Sequence, residues 1–331
     1  MQEKFRALVV DKAESGDVST EVRELSIDQL PKGEVTIRAA YSSVNYKDGL
    51  ASIPNGNIAR MYPLILGIDV AGTVVTSSDA RFKEGDNVLV TGFELGVAHY
   101  GGFSEYVRVP AEWVVPLPSG LTLKEAMAYG TAGFTAALSV QRLEESGVTP
   151  EEGEVLVTGA TGGVGSLAVA MLAEKGYDVV ASTGKDAEHG YLRELGVKEI
   201  VTREEMSPET FKPIGKPRWA GAVDPVGGKT LAYILSTTKY GGAVAVSGLT
   251  GGTSVPTSVF PFILRGVNLL GIDSVYCPMK IRLPLWERMA NDLKPNGLEA
   301  GIVHEITLNE LPQTLACILQ GQMRGRAIVK L

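Results

Sequence analysis

The segment Val155-Leu156-Val157-Thr158-Gly159-Ala160-Thr161-Gly162-Gly163-Val164-Gly165 is an apolar strand that runs into a glycine-rich turn and then into a helical pattern from Ser166 to Lys175. Ala160, Gly162 and Gly165 stand at the spacing G-x-G-x-x-G, with alanine in the first place. Small residues there allow a tight turn, close approach of the backbone to a pyrophosphate, and close packing of helix on strand. The backbone of Ala160, Thr161, Gly162, Gly163 and Val164 is then the cradle, and the helix N-terminus holds the phosphates. The spacing alone also fits an ordinary strand-turn-helix, so the surrounding sequence has to discriminate.

A dinucleotide site with unphosphorylated ribose carries an acid at the end of the second strand, roughly 20 residues on. Here the strand Asp178 to Ser182 ends in Ser182-Thr183-Gly184-Lys185, with no acid. Asp178 sits at the strand's start, on the far side from a cofactor. Thr183 offers a hydroxyl, Gly184 room and Lys185 a cation, a set suited to the extra phosphate of NADPH. NADPH is therefore expected over NADH.

The 331 residues suit two domains, and 44% hydrophobic with 21% charged residues is ordinary globular composition. A net charge of −7 without a basic run argues against nucleic acid as the main partner. The N-terminus lacks the pattern of a signal peptide, and no stretch approaches a membrane span, so no membrane role and a cytoplasmic location are expected. Two cysteines, Cys277 and Cys317, and three histidines exclude a disulfide framework and leave too few soft ligands for structural zinc.

From Phe5 to about Val115 short β-rich runs alternate with glycine and proline turns, at Ala7-Val10, Glu34-Tyr41, Gly67-Val75, Asn87-Thr91 and Phe103-Pro110. This predicts an all-β barrel. Helical periodicity starts near Leu123-Met127 and again at Thr135-Leu143. Strands at Glu154-Thr158, Asp178-Ser182, Glu199-Thr202, Ala220-Asp224, Gly242-Ser247 and Asn268-Ile272 then alternate with helical stretches near 164–175, 186–195, 228–236 and 258–265. That is the order of a doubly wound parallel sheet. Arg282-Leu293 and Asn309-Gln320 read as helices, His304-Thr307 and Arg326-Leu331 as strands. The simplest closure returns this tail to the barrel, giving a catalytic domain of residues 1–124 and 275–331, an inserted nucleotide domain of 125–274, and an active site in the cleft between them.

With the glycine turn placed mid-chain behind a barrel, the chain resembles, end to end, the medium-chain dehydrogenase/reductase superfamily: a GroES-like β-barrel with an inserted Rossmann domain. The resemblance implies catalytic zinc on a cysteine, a histidine and a second cysteine. In this chain Asn45 stands in the first cysteine place, Ile68 in the histidine place, and Met127-Ala128-Tyr129 offers no thiol. The four-cysteine lobe is missing from 91–105. The resemblance therefore narrows to the zinc-independent, quinone-oxidoreductase-like branch, with no metal. Asn45-Tyr46-Lys47-Asp48, Gly67-Ile68-Asp69, Gly130-Thr131-Ala132-Gly133-Phe134-Thr135-Ala136, Pro261-Phe262-Ile263-Leu264-Arg265 and Gly271-Ile272-Asp273-Ser274-Val275 resemble the YhdH/YhfP group that includes acrylyl-CoA reductases. The short-chain dehydrogenase pattern, with Tyr276 and Lys280 as its dyad, is also matched on paper. Pro278 between them is incompatible with the single helix that dyad needs.

Without zinc ligands the chain has no Lewis acid with which to polarise an alcohol, which leaves hydride addition to a conjugated C=C bond. The resemblance implies that NADPH delivers hydride to the β-carbon of an enoyl thioester, enone or quinone. Charge develops on the carbonyl oxygen, and the protein supplies position, an oxyanion donor and a proton path. Asn45 is the expected donor, and Asp69, between Ile68 and Val70, is expected to be partly buried with Lys47 or Asn45 as its partner. A loop-capping role for Asn45 and a structural ion pair for Asp69 are the plainer readings. Tyr46 is expected against the cofactor, Thr131 near the nicotinamide or pyrophosphate, and Arg326 beside the cleft facing a phosphate or simply solvated. Ser247 and Leu249 follow the fifth strand and Ser274 the sixth, at the carboxyl ends where open α/β sheets bind ligands. Tyr191, His99, His189 and His304 lack a supporting constellation. The expected substrate is an acyl-CoA thioester, most of all acrylyl-CoA, with a quinone or enone as the alternative; a non-catalytic NADPH-binding protein is the reading outside enzymes. The apolar strand Asn268-Ile272 at the sheet edge predicts a homodimer.

Overall fold

A computed structural model describes residues 4–299 and 301–331. In chain order the elements are β1 (Lys4–Lys12), β2 (Val18–Ser26), β3 (Val35–Ser43), α1 (Tyr46–Ala51), β4 (Leu64–Ile65), β5 (Asp69–Ser77), β6 (Asn87–Thr91), β7 (Tyr106–Val109), β8 (Val115–Pro116) and α2 (Leu123–Glu145). There follow β9 (Val155–Val157), α3 (Gly163–Glu174), β10 (Val179–Thr183), α4 (His189–Glu194), β11 (Glu199–Thr202), β12 (Trp219–Asp224), α5 (Gly228–Thr237), β13 (Thr238–Val246), α6 (Phe260–Arg265) and β14 (Asn268–Gly271). The chain ends with α7 (Met279–Ala290), β15 (Val303–Thr307), α8 (Leu311–Leu319) and β16 (Arg326–Lys330).

Two compact units result. The first, residues 1–131, 278–283 and 298–331, holds a three-stranded sheet in the order β2-β1-β4 and a seven-stranded sheet in the order β15-β16-β3-β5-β6-β8, with β7 also paired to β3. Alternation along β3, β5 and β6 turns Val35, Ile37, Val70, Val74, Val88 and Val90 into one core, each of these side chains 0–1% exposed. A second core joins Leu8, Leu64, Leu66 and Phe103 to Leu311, Leu315 and Val329, so α8 and β16 are tied to the N-terminal strands by apolar burial. The strand β2 escapes the sequence reading because none of its residues is fully buried. It lies at a sheet edge, and its charges Glu21, Arg23 and Glu24 obscure the period-two signal.

The second unit, residues 132–277 and 284–297, carries a six-stranded parallel sheet in the order β11-β10-β9-β12-β13-β14. Numbered within this unit the order is 3-2-1-4-5-6, with the topological switch between β9 and β12, where such sheets bind dinucleotides. Leu156, Val180, Ala222 and Val244 from four neighbouring strands pack on Leu231, Ile234 and Leu235 of α5. These residues explain the near-continuous apolar runs, because helices cover both faces of a parallel sheet.

The boundaries differ from the sequence expectation in three places. Residues 125–131 stay with the β unit, and 275–277 and 284–297 with the parallel sheet. The two helical stretches expected near 123 and 135 are two helices within α2, separated by the non-helical backbone of Gly130 (φ 51°, ψ −156°). Helix α7 begins at Met279, so Tyr276 lies outside it and the Tyr-x-x-x-Lys pair shares no helix.

Candidate functional site

In the second unit the strand β9 delivers the chain to a turn at the switch point. Gly159 takes φ 53°, a left-handed conformation open to glycine. A Cβ on Gly165 would lie 2.3 Å from the Gly159 carbonyl oxygen and 2.7 Å from the Ala160 Cα, so only glycine lets α3 pack this closely on the turn. Gly162 is the N-cap of α3 and has no side chain to occupy the helix's free N–H groups, leaving them for an anion. The turn is tied down from behind. Thr158 donates a short hydrogen bond to Asp224 at the end of β12, and Asp224 also accepts from the backbone N–H groups of Val226 (3.1 Å) and Gly227 (2.9 Å). Burial raises the Asp224 carboxyl, and these three donors oppose the rise.

At the end of β10, the Thr183 hydroxyl accepts the Lys185 N–H at 3.1 Å, shaping the Thr183-Gly184-Lys185 corner. A Cβ on Gly184 would come within 3.2 Å of the Arg203 guanidinium, which places a second cation beside this corner. Burial lowers the Lys185 ammonium and Arg203 adds to the effect, while Glu188 opposes it. Two cations drawn to one small residue, with no acid at the ribose position, fit a phosphate better than a bare hydroxyl pair. Arg203 was not identified from the sequence; its signal was a cation directly after β11, the strand neighbouring β10. The Ser247 hydroxyl, just past the end of β13, is buried with no hydrogen-bond partner among the described residues, the mark of a donor left for a ligand. Leu249 beyond it is 60% exposed, and Ser274 accepts the Thr135 hydroxyl at 2.8 Å. The residues present thus fit a dinucleotide with a phosphorylated ribose.

The first unit holds a compact polar cluster. Asp69, at the start of β5, is 0% exposed. Its carboxylate accepts from the Ser43 hydroxyl (2.6 Å), the Asn45 side-chain amide (2.7 Å), the Thr131 N–H (2.9 Å) and the Thr131 hydroxyl (2.5 Å). Arg326 approaches it to 3.9 Å. Arg326 is itself 2% exposed and donates to Ser43 Oγ (2.8 Å), the Val44 carbonyl (2.9 Å) and the Ala128 carbonyl (3.3 Å). Gly130 is the enabling residue: a Cβ there would stand 2.3 Å from Ser43 Oγ and 2.5 Å from Asp69 Oδ2. Asp48 closes the other side, accepting the N–H groups of Asn45 (2.8 Å) and Ile68 (3.0 Å) and fixing the start of α1.

Several sequence expectations need correction. Asn45 was to donate directly to developing charge; instead its Nδ2 donates to Asp69 and, at 3.3 Å, to the Ser43 carbonyl, so both amide hydrogens have protein acceptors. The plainer reading of Asn45, as a local cap, fits this geometry. Lys47 was a candidate partner for Asp69, yet Asp69 is served by Asn45, Ser43, Thr131 and Arg326. Lys47 is half-buried with no ion-pair partner among the described residues. Thr131 spends both its N–H and its hydroxyl on Asp69. Arg326 is neither solvated nor open to a phosphate, because burial commits its guanidinium to protein acceptors. Tyr46, at the head of α1, is 43% exposed and has room for a ligand. Asp48 and Gly130 went unassigned, although the spacing Asn45-x-x-Asp48 is itself a capping-box signal.

Among the described residues no group of three or more His, Cys, Asp or Glu side chains could hold a metal ion. No helix among them is long and apolar enough to cross a membrane.

Comparison with known proteins matches residues 31–119 to the alcohol dehydrogenase GroES-like domain and residues 163–291 to the zinc-binding dehydrogenase family. The chain is 60% identical to the Bacillus subtilis (strain 168) protein YhfP, provisionally named a quinone oxidoreductase, over 100% of both chains. It is 53% identical to the acrylyl-CoA reductase AcuI of Ruegeria pomeroyi, over 98% of each chain. The crystal structure of YhfP, described with NAD bound, superposes with a TM-score of 0.97 over 99% of this chain and 100% of that one. The Escherichia coli K-12 YhdH structure, described with bound NADPH, is 46% identical and gives 0.95 over 98% and 99%.

Proposed function

Because this chain belongs to the medium-chain dehydrogenase/reductase superfamily, in the quinone-oxidoreductase-like branch without zinc-binding groups, we propose that it reduces an activated C=C bond with NADPH, acting on acrylyl-CoA to give propionyl-CoA. The observation that carries the cofactor is the pair of cations, Lys185 and Arg203, at the Gly184 corner. Bound there, NADPH supplies the hydride. For the acceptor, the support is the acrylyl-CoA reductase relative, 53% identical over 98% of the chain. Quinones are the second reading, favoured by the name of YhfP at 60% identity. We place the enzyme in the cytoplasm as a homodimer.

In this reading the polar cluster around Asp69 positions rather than reacts. Asp69 gathers the side chains of Ser43, Asn45 and Thr131 onto one carboxylate and thereby fixes the segment from Asn45 to α1 against the kink at Gly130. Preorganisation of this kind limits the misplacement that erodes catalysis. Tyr46 and Lys47, the next two residues, are the side chains this frame presents. Lys47 is the group left to meet charge developing on the substrate oxygen, since the Asn45 amide is engaged.

The test follows the hydride. With deuterium at the nicotinamide C4, acrylyl-CoA should become propionyl-CoA labelled at the β-carbon. Oxidation of NADPH by quinones with the thioester left untouched would select the second reading. No turnover with any conjugated acceptor would sink both.

A further inference from the structure

Three ionisable side chains are buried together in the first unit: Asp48 at 1%, Asp69 at 0% and Arg326 at 2% exposure. Within this cluster two carboxylates share one cation, Arg326; Arg282, also fully buried, donates instead to the carbonyl and hydroxyl of Thr91, which pairs with Asp69 across β5 and β6. A second buried, unbalanced charge is expensive, so one of the acids should hold a proton. The hydrogen bonds decide which. Asp69 receives four donors, from Ser43, Asn45 and twice from Thr131, and lies 3.9 Å from Arg326. Asp48 receives the backbone N–H groups of Asn45 and Ile68, with the Asn45 side-chain amide also drawn to it, and among the described residues has no cation within ion-pair distance. The groups facing it are Asp69 from β5, Arg326 from β16, the backbone N–H and side chain of Asn45, and the N–H of Ile68; at the next residue, Gly49, the nearest atoms across α1 are aliphatic carbons of Ile318 and Leu319 on α8.

We propose that Asp48 is a neutral carboxylic acid in the working protein, and that its ionisation sets the alkaline limit of the reaction. It acts through Asn45, whose backbone N–H it holds and whose side chain reaches Asp69. Asp48 is thus a positioning residue. Losing its proton sets a second buried negative charge beside Asp69 and disturbs the hold on Asn45. Burial, and then the neighbouring Asp69, push the Asp48 carboxyl up to about 7, against the pull of the Asn45 and Ile68 backbone N–H groups and of the Asn45 side chain. The spectroscopic test stands without the proposed activity; the kinetic one rests on it.

Infrared spectra of the ligand-free full-length protein should show the carbonyl stretch of a protonated carboxylic acid that disappears in a one-proton step near pH 7. Asp48→Asn should remove that band, and Asp48→Glu should move it, which keeps the assignment testable if the asparagine variant folds poorly. In wild type, kcat/KM for NADPH-dependent reduction should fall about tenfold per pH unit above the same midpoint, as one essential proton requires. That limb should vanish in Asp48→Asn. A wild-type protein with no such band overturns the proposal, as does a band that survives both Asp48 substitutions or an unaltered alkaline limb in Asp48→Asn. Absence of turnover with any acceptor would instead remove the functional reading while leaving the infrared result to judge Asp48.

Discussion

Lys185 and Arg203 make the cofactor choice a property of a few atoms. One charge-assisted contact to a phosphate is worth roughly 1.5 to 3 kcal/mol, so NADPH should bind at least about tenfold tighter than NADH. Lys185→Ala and Arg203→Ala should each narrow that ratio about tenfold while leaving NADH binding nearly unchanged. Calorimetric titrations giving equal dissociation constants in wild type would refute the assignment, and the NAD described in the YhfP structure makes the measurement worth doing first. Gly130 makes the second residue-scale prediction. At φ 51° and ψ −156° any side chain is strained, and a methyl group would also press on Ser43 Oγ and Asp69 Oδ2. Gly130→Ala should cost about 2 to 4 kcal/mol in denaturant unfolding, combining backbone strain with a disturbed buried network. A variant as stable as wild type would show that the kink relaxes freely.

At the scale of elements, β14 stands at the edge of the parallel sheet with one side unpaired within the chain. Leu269 on it is 42% exposed, and on α6, which packs against β13, Ile263 is 69% and Leu264 60% exposed. An open strand edge in the company of exposed aliphatic side chains invites a second copy of the same edge. Sedimentation should find a dimer, and Leu269→Lys together with Ile263→Glu should shift it toward monomer. A wild-type monomer at micromolar concentration would count against the dimer. Elements also show where local signals mislead. The run Ala7-Val10 announced β1 because its residues are buried, whereas its partner β2 hid behind charges that an edge strand tolerates.

For the molecule as a whole, buried acids set the pH at which the fold is strongest. Burial and the neighbouring Asp69 push the Asp48 carboxyl up to about 7 in the native state, above the roughly 3.9 of an unfolded aspartate, so between those values the native state holds the extra proton. Its contribution to stability is complete below about pH 4, declines as pH rises and is gone above the native value. Asp224, also raised, acts in the same direction. Asp292, lowered by Arg288 and Lys175, acts oppositely and loses its contribution in acid. Melting temperature should therefore fall between about pH 5 and 7, and Asp48→Asn should flatten that slope; an unchanged slope would place the titrating group elsewhere.

What the sequence determined by itself was everything carried by short spacings. The glycine pattern at Ala160, Gly162 and Gly165 and the regular recurrence of apolar strands encode backbone geometry that neighbours a few residues apart already fix. The missing ribose acid before Lys185 was equally legible as an identity at a known offset, whereas Asn45 and Ile68 at the zinc-ligand places were legible only through the family resemblance. Only the tertiary structure decided which side chains face one another. Arg326 meets Ser43 across 283 residues of chain, Arg203 closes on Gly184 from the next strand, and the Asn45 amide is consumed by Asp69, 24 residues on. A spacing rule describes one strand or helix. The balance of buried charge depends on elements brought together by burial of their apolar faces, and no local period records that pairing.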